Sequence, residues 1–178
     1  MDEFFSRSEA LLGAKAMEAL RTKKVIIFGV GGVGSYAAEA LVRTGLTHLT
    51  IVDGDTVQPS NINRQLPATR ATMGMPKVET LKARLLEINP EAEIEARKEM
   101  VNGEWLMVNG LEGDDYIIDA IDSVNDKTDL IINATRARVK IFSSMGAALR
   151  FDPTKVTTGE LMDIKGDALA KAVRARMK

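Results

Sequence analysis

The chain has 178 residues, 45% of them hydrophobic, which suits one α/β domain around a single sizeable core. A formal net charge of -1 gives no general pull towards nucleic acid or anionic membrane, although residues 150–178 carry seven basic side chains against four acidic ones. With no cysteine the sequence excludes disulfides, zinc–thiolate knuckles, thioesters and persulfides, and no run approaches the roughly 18–20 apolar residues of a spanning helix, so a soluble, cytoplasmic protein is expected.

In chain order, Ser8 can cap a first helix over residues 9–20, with Leu11, Leu12, Ala16 and Leu20 as a narrow apolar stripe. Residues 25–28 form an apolar, largely β-branched run suited to a strand buried on both faces, and the cluster Gly29, Gly31, Gly32 and Gly34 follows. A helix is predicted over about 32–44, with Ala37, Ala38, Leu41 and Val42 towards the sheet and Gly45 as its stop. Residues 47–52 make a second strand, and His48, far from the carboxyl ends of the strands, is assigned to packing or surface. Pro76 opens a helix carried by Val78, Leu81, Leu85 and Ile88. Alternation of Ala92, Ile94 and Ala96 predicts a half-exposed strand, residues 116–121 a buried one, 126–137 a helix and 139–143 a fifth strand. Met73, Met75 and Trp105 read as core or rim fillers. Residues 167–178 predict an amphipathic helix whose Leu169, Val173 and Met177 need a partner the chain does not supply, as if its C-terminal part were truncated.

Strands alternating with helices predict a Rossmann-like, mostly parallel sheet flanked by helices, with the ligand site at the carboxyl ends of the strands. The expected division is an N-terminal arm over 1–22, a nucleotide-binding unit over 23–150 and the start of an extension over 151–178.

Gly29, Gly31 and Gly34 satisfy a G-x-G-x-x-G pattern between a strand and a helix, where glycines let backbone approach phosphate and the helix N-terminus offers unpaired N–H groups. Asp53, ending the next strand, is placed to accept from ribose hydroxyls, with Asp55 close by. The bland alternative is a tight turn capped by Asp53. The block Asn61, Asn63, Arg64 and Gln65 then crowds hydrogen-bonding groups beside the same sheet edge, unless it is a solvated loop capped by its asparagines. A dinucleotide pyrophosphate is often held by backbone alone, whereas a triphosphate calls for cations and a metal ion. Lys77, in the first turn of a helix where the macrodipole disfavours positive charge, points to an anion nearby, unless it is a flexible surface lysine. Asp119 and Asp122 stand where either could reach a magnesium ion, with Asp122 better placed beyond the strand; the alternative is that Asp122 or Ser123 caps the next helix.

Together these blocks resemble the adenylation domain of the ThiF/MoeB superfamily, relatives of ubiquitin-activating enzymes. The resemblance implies that Gly31 and Gly32 line the phosphates, Asp53 binds ribose, Asn61, Arg64 and Lys77 hold the triphosphate, and Asp122 holds Mg2+. It implies attack of a substrate carboxylate on the α-phosphate of ATP, giving an acyl-adenylate and pyrophosphate.

Phe5, Ser6 and Arg7 before Leu12 and Gly13, residues 143–147, and Phe151 to Pro153 resemble the tRNA threonylcarbamoyladenosine dehydratase branch, which activates the threonine carboxylate of a modified adenosine in tRNA for cyclising dehydration. The same resemblance implies a homodimer in which Arg7 reaches the partner's phosphates, and it leaves room for an accessory sulfur-transfer protein. The alternatives are adenylation of the C-terminal glycine of a ubiquitin-like sulfur carrier, a nicotinamide-dependent reductase, which leaves Arg64 and Lys77 unexplained, and a scaffold that binds ATP without turnover. Sulfur-carrier adenylating members usually carry paired zinc cysteines, and none is present here.

Overall fold

The computed structural model describes residues 3–111 and 113–177. Five parallel strands, β1 (Lys24–Phe28), β2 (His48–Val52), β3 (Glu93–Arg97), β4 (Tyr116–Asp119) and β5 (Lys140–Ser143), form one sheet in the order β3-β2-β1-β4-β5. The chain builds outwards from β1 on one side and then returns to its other side at β4. That reversal opens a crevice at the carboxyl ends of β1 and β4.

Pleating sends alternate residues of β1 to opposite faces, and both are apolar. Val25 and Ile27 join Leu49 and Ile51 under helices α3 (Gly34–Thr44) and α4 (Lys77–Ile88), which contribute Ala38, Val42, Val78, Leu81 and Leu85. Ile26 and Phe28 join Val52 and Ile117 beneath α5 (Gly103–Asn109) and α6 (Val124–Ala137), through Trp105, Leu106, Leu130 and Ala134. The Phe28 and Trp105 rings meet edge to face at 5.5 Å. Each such side chain withdrawn from water contributes about 1.5–3 kcal/mol, which makes β1 the most strongly held strand and a rigid base for the loop that follows it.

Three expectations change. The single N-terminal helix is two, α1 (Ser6–Leu12) and α2 (Ala14–Arg21), because Gly13 between them takes φ 82°, ψ 152°. Ser8 therefore lies inside α1 and caps nothing. The break resets the helical phase, so Leu11, Leu12 and Ala16 face solvent while Phe5 and Met17 pack against Gly45 at the end of α3. The short α5 had no counterpart in the predicted elements; Asn102 starts it, its side chain accepting from the Trp105 N–H at 2.9 Å.

The last helix, α7 (Ala168–Arg176), begins at an Asp167 cap, and the Lys178 of its predicted range lies outside the described residues. Its buried positions are Ala170 and Val173, and it packs on α6, so the face expected to lack a partner is covered within the chain. Elsewhere the boundaries move by a few residues. Strand β4 stops at Asp119 because that side chain accepts from the Ile121 N–H at 3.0 Å and turns the backbone out of the sheet. Among the described residues no helix is long and apolar enough to cross a membrane.

Candidate functional site

The glycine loop occupies the crevice. Gly29 leaves β1 with φ 83°, and a Cβ there would lie 2.8 Å from the Ala120 carbonyl oxygen, so the approach to the β4 loop requires glycine. A side chain on Gly34 would run into the Gly29 carbonyl oxygen. The Ser35 hydroxyl donates to the Gly31 carbonyl at 2.5 Å and closes the turn onto α3, whose N-terminus no side chain caps. The Ser35 N–H donates to the Gly31 carbonyl at 3.3 Å, so the positive end of the helix dipole and the N–H groups beside it are what this turn offers an anion.

Asp53 stands at the end of β2, directly beside this loop. One carboxylate oxygen accepts from the Val30 N–H at 2.8 Å and the other from the Asp55 N–H at 2.9 Å, which fixes the side chain against the glycine turn. Asp55 extends from there to Lys77: its Oδ2 lies 2.7 Å from Nζ, and its carbonyl accepts from the Lys77 N–H at 3.0 Å. The anion that the helix-start position of Lys77 called for is therefore Asp55. Lys77 is only 6% exposed, which rules out a loose surface lysine.

A short 3-10 turn, Pro59–Asn61, orients the polar block. Asn61 is buried and its Oδ1 accepts from the Gln58 N–H at 3.0 Å, so part of its role is to cap this turn. Arg64 runs back across the glycine loop; its Cγ is 3.4 Å from where a Cβ on Gly32 would stand. Its guanidinium donates to the Ser60 carbonyl at 3.1 Å and to Asn63 Oδ1 at 2.9 Å, and it stays exposed. Gln65 packs against Gly31 with its amide nitrogen 3.5 Å from a Cβ position there, and its Oε1 is buried without a hydrogen-bond partner among the described residues. Such an orphaned acceptor costs about 1–3 kcal/mol unless a donor arrives with a ligand.

The two carboxylates after β4 part company. Asp119 is fully buried and bonded to the equally buried Lys127, with Nζ–Oδ2 at 2.6 Å, so it is unavailable to a metal. Burial holds the Lys127 ammonium below the usual lysine range despite that partner. Asp122 is exposed and makes no hydrogen bond or salt bridge among the described residues, while Ser123 accepts from the Asp126 N–H and caps α6. No group of three or more His, Cys, Asp or Glu side chains converges on a metal position among the described residues. One free carboxylate beside a phosphate loop fits Mg2+, which keeps water and phosphate oxygens as most of its ligands, and does not fit a metal caged by protein alone.

Two predicted residues lie elsewhere. Arg7 is on α1, and the contact of Phe5 with Gly45 places that helix at the amino ends of the strands, opposite the glycine loop. His48 pairs with Glu93 at 3.0 Å on the same distant edge, as expected of a surface histidine. A cavity of ≈ 690 Å³ lined by His48, Glu95, Arg97, Trp105 and Asp114 also lies away from the glycine loop, on the α5 face of the sheet. Among residues that escaped the sequence reading, Lys127 stands out. It shares the stripe of Leu130, Ile131 and Ala134, and a lysine in that apolar phase was the available signal.

The assembly can hold a nucleoside polyphosphate: backbone N–H groups at a helix start, an acid for the ribose, two cations and one free carboxylate. The sequence matches the ThiF family over residues 5–168. It is 41% identical over 174 residues to the tRNA threonylcarbamoyladenosine dehydratase of Bacillus subtilis, covering 98% of this chain and 68% of that protein. Against the Escherichia coli dehydratase it spans 65% of the relative's length; the crystal structure of that enzyme in complex with ATP superposes with a TM-score of 0.96 at 36% identity, covering 99% of this chain. The molybdopterin-synthase adenylyltransferase of E. coli is 36% identical over 135 residues, which is 76% of this chain and 53% of that protein. Sequence and fold agree over nearly the whole length: the chain belongs to the ThiF family.

Proposed function

We propose that this protein is an ATP-dependent adenylating enzyme acting on the threonine carboxylate of threonylcarbamoyladenosine in tRNA, with residues 23–150 as its nucleotide-binding unit and the cytoplasm as its compartment. The observation that carries the reading is the placement of the exposed Arg64 over Gly32, which sets a cation beside the glycine loop at the mouth of α3. In this reading Gly29, Gly31, Gly32 and Gly34 shape the phosphate cradle at the start of α3 and Asp53 accepts from the ribose. Arg64, Asn61 and the Asp55-braced Lys77 hold the β- and γ-phosphates. A carboxylate oxygen of the substrate attacks the α-phosphorus, the bond to the bridging oxygen breaks, and pyrophosphate leaves. A nucleophile within the same modified nucleoside then attacks the activated carbonyl and AMP departs, closing a ring with net loss of water. Position and charge compensation carry the rate, and no protein side chain forms a covalent bond.

Charge explains the remaining assignments. A triphosphate brings about four negative charges, and Lys77 is already paired with Asp55, whose N–H donates to Asp53. Asp122 would hold an Mg2+ ion whose charge offsets that of the phosphates. Arg7, too far round the molecule to serve its own site, would come from the partner in a homodimer, carried on an N-terminal segment whose Phe4, Leu11 and Leu12 are exposed.

Likeness to the molybdopterin-synthase adenylyltransferase supports a second reading, activation of a carrier protein's C-terminal glycine, over 76% of the chain against 98% for the dehydratase. The deciding experiment is ATP–pyrophosphate exchange. Stimulation by tRNA bearing threonylcarbamoyladenosine, abolished in Asp122→Asn, is expected; stimulation by a Gly-Gly-tailed carrier and none by tRNA would reverse the assignment.

A further inference from the structure

We infer that Lys127 is a positioning residue: its buried network with Asp119 and Ser143 aims Asp122 and the loop after β5 at the nucleotide. One ammonium, with no solvent exposure, donates to Asp119 Oδ2 at 2.6 Å, Ser143 Oγ at 3.2 Å and the Ser144 carbonyl at 2.9 Å. Asp119 uses the rest of its capacity on the same two segments. Its Oδ2 accepts from the Ser143 hydroxyl at 2.5 Å, its Oδ1 from the Ile121 N–H at 3.0 Å and its backbone carbonyl from the Ser144 N–H at 2.8 Å. Thus the turn that delivers Asp122 and the turn that leaves β5 are tied to one atom on α6.

Stability alone does not account for this arrangement, because a buried ion pair replaced by apolar groups of similar volume is often neutral or more stable. What a fully satisfied network contributes is a single geometry. The near side of the Asp122 turn is held independently, by the Ala120 N–H donating to the Phe28 carbonyl at 2.8 Å and by Ala120 packing on Gly29. Slackening the network therefore frees Asp122 and leaves the glycine cradle in place.

This inference rests on the metal role given to Asp122 and is tested by binding. Calorimetric titrations with AMP, with ATP alone and with ATP plus Mg2+ compare the natural protein with Asp119→Asn combined with Lys127→Met, a neutral pair of similar volume. The expected result is AMP affinity within about twofold of the natural protein and a gain in ATP affinity from Mg2+ that is smaller by about tenfold. An unchanged Mg2+ gain, or equal losses for AMP and ATP, overturns the positioning role. A natural protein whose ATP affinity ignores Mg2+ overturns the role of Asp122 itself and this inference with it. If the double variant fails to unfold cooperatively, Ser143→Ala decides, since it keeps the ion pair and removes both hydrogen bonds of the Ser143 hydroxyl. A threefold smaller Mg2+ gain is expected there, and the natural value overturns the inference.

Discussion

Arg64 bears most directly on which phosphates the site holds. Its guanidinium is exposed and already oriented by Ser60 and Asn63, so little side-chain entropy remains to be lost on binding. Arg64→Ala is expected to weaken ATP by roughly 10–100-fold, the range for hydrogen bonds to a charged group, and AMP by less than threefold, measured by calorimetry. Equal losses would move the arginine off the β- and γ-phosphates. The glycines, Asp53 and the Asn61–Gln65 block were legible in the sequence because their spacing from the ends of two strands is local. What stayed hidden depends on contacts across the fold. Asp119 and Lys127 face each other across a strand end and a helix, and Lys77 is buried because Asp55, on another loop, folds over it. Asn61 is half structural, since it accepts from the Gln58 N–H, which is the asparagine-capped turn that the sequence offered as the alternative.

The helices and strands around the site followed from periodicity wherever one face is apolar over several turns, as in α3 and α4. Periodicity failed where a glycine reset it. Leu11 and Leu12 looked like core and are exposed, whereas Met17 is 2% exposed against Gly45. Met17→Ala is therefore expected to cost about 2–5 kcal/mol in chemical denaturation, and Leu11→Ala less than about 0.5 kcal/mol. Comparable costs for the two would restore an unbroken amphipathic helix. The short α5 was missed because its buried Trp105 and Leu106 are adjacent and make no repeating stripe.

For the whole molecule, strand alternation announced the parallel sheet, but strand order and the covering of α7 by α6 are tertiary facts that no local pattern carries. Surface electrostatics set the acid limit. Hydrogen bonds from Arg84 and Arg43 hold the Glu39 carboxyl below its usual 4.5, and Arg97 does the same for Glu95. A carboxyl whose folded-state pKa is depressed contributes stability that is complete above the unfolded value and lost as pH falls through the folded one. Asp114, pushed up by burial, acts in the opposite sense. The melting temperature should accordingly hold from neutrality to about pH 4.5 and fall below it, as scanning calorimetry can follow; a flat profile to pH 3 would remove these pairs from the balance. All of this geometry serves one claim, that a carboxylate on a tRNA nucleoside is activated by ATP in the crevice between β1 and β4. Mass spectrometry of tRNA nucleosides from cells lacking the gene addresses it without purified enzyme. The cyclic form of threonylcarbamoyladenosine should disappear and the open form should accumulate, whereas a cyclic form that persists undiminished would contradict the assignment.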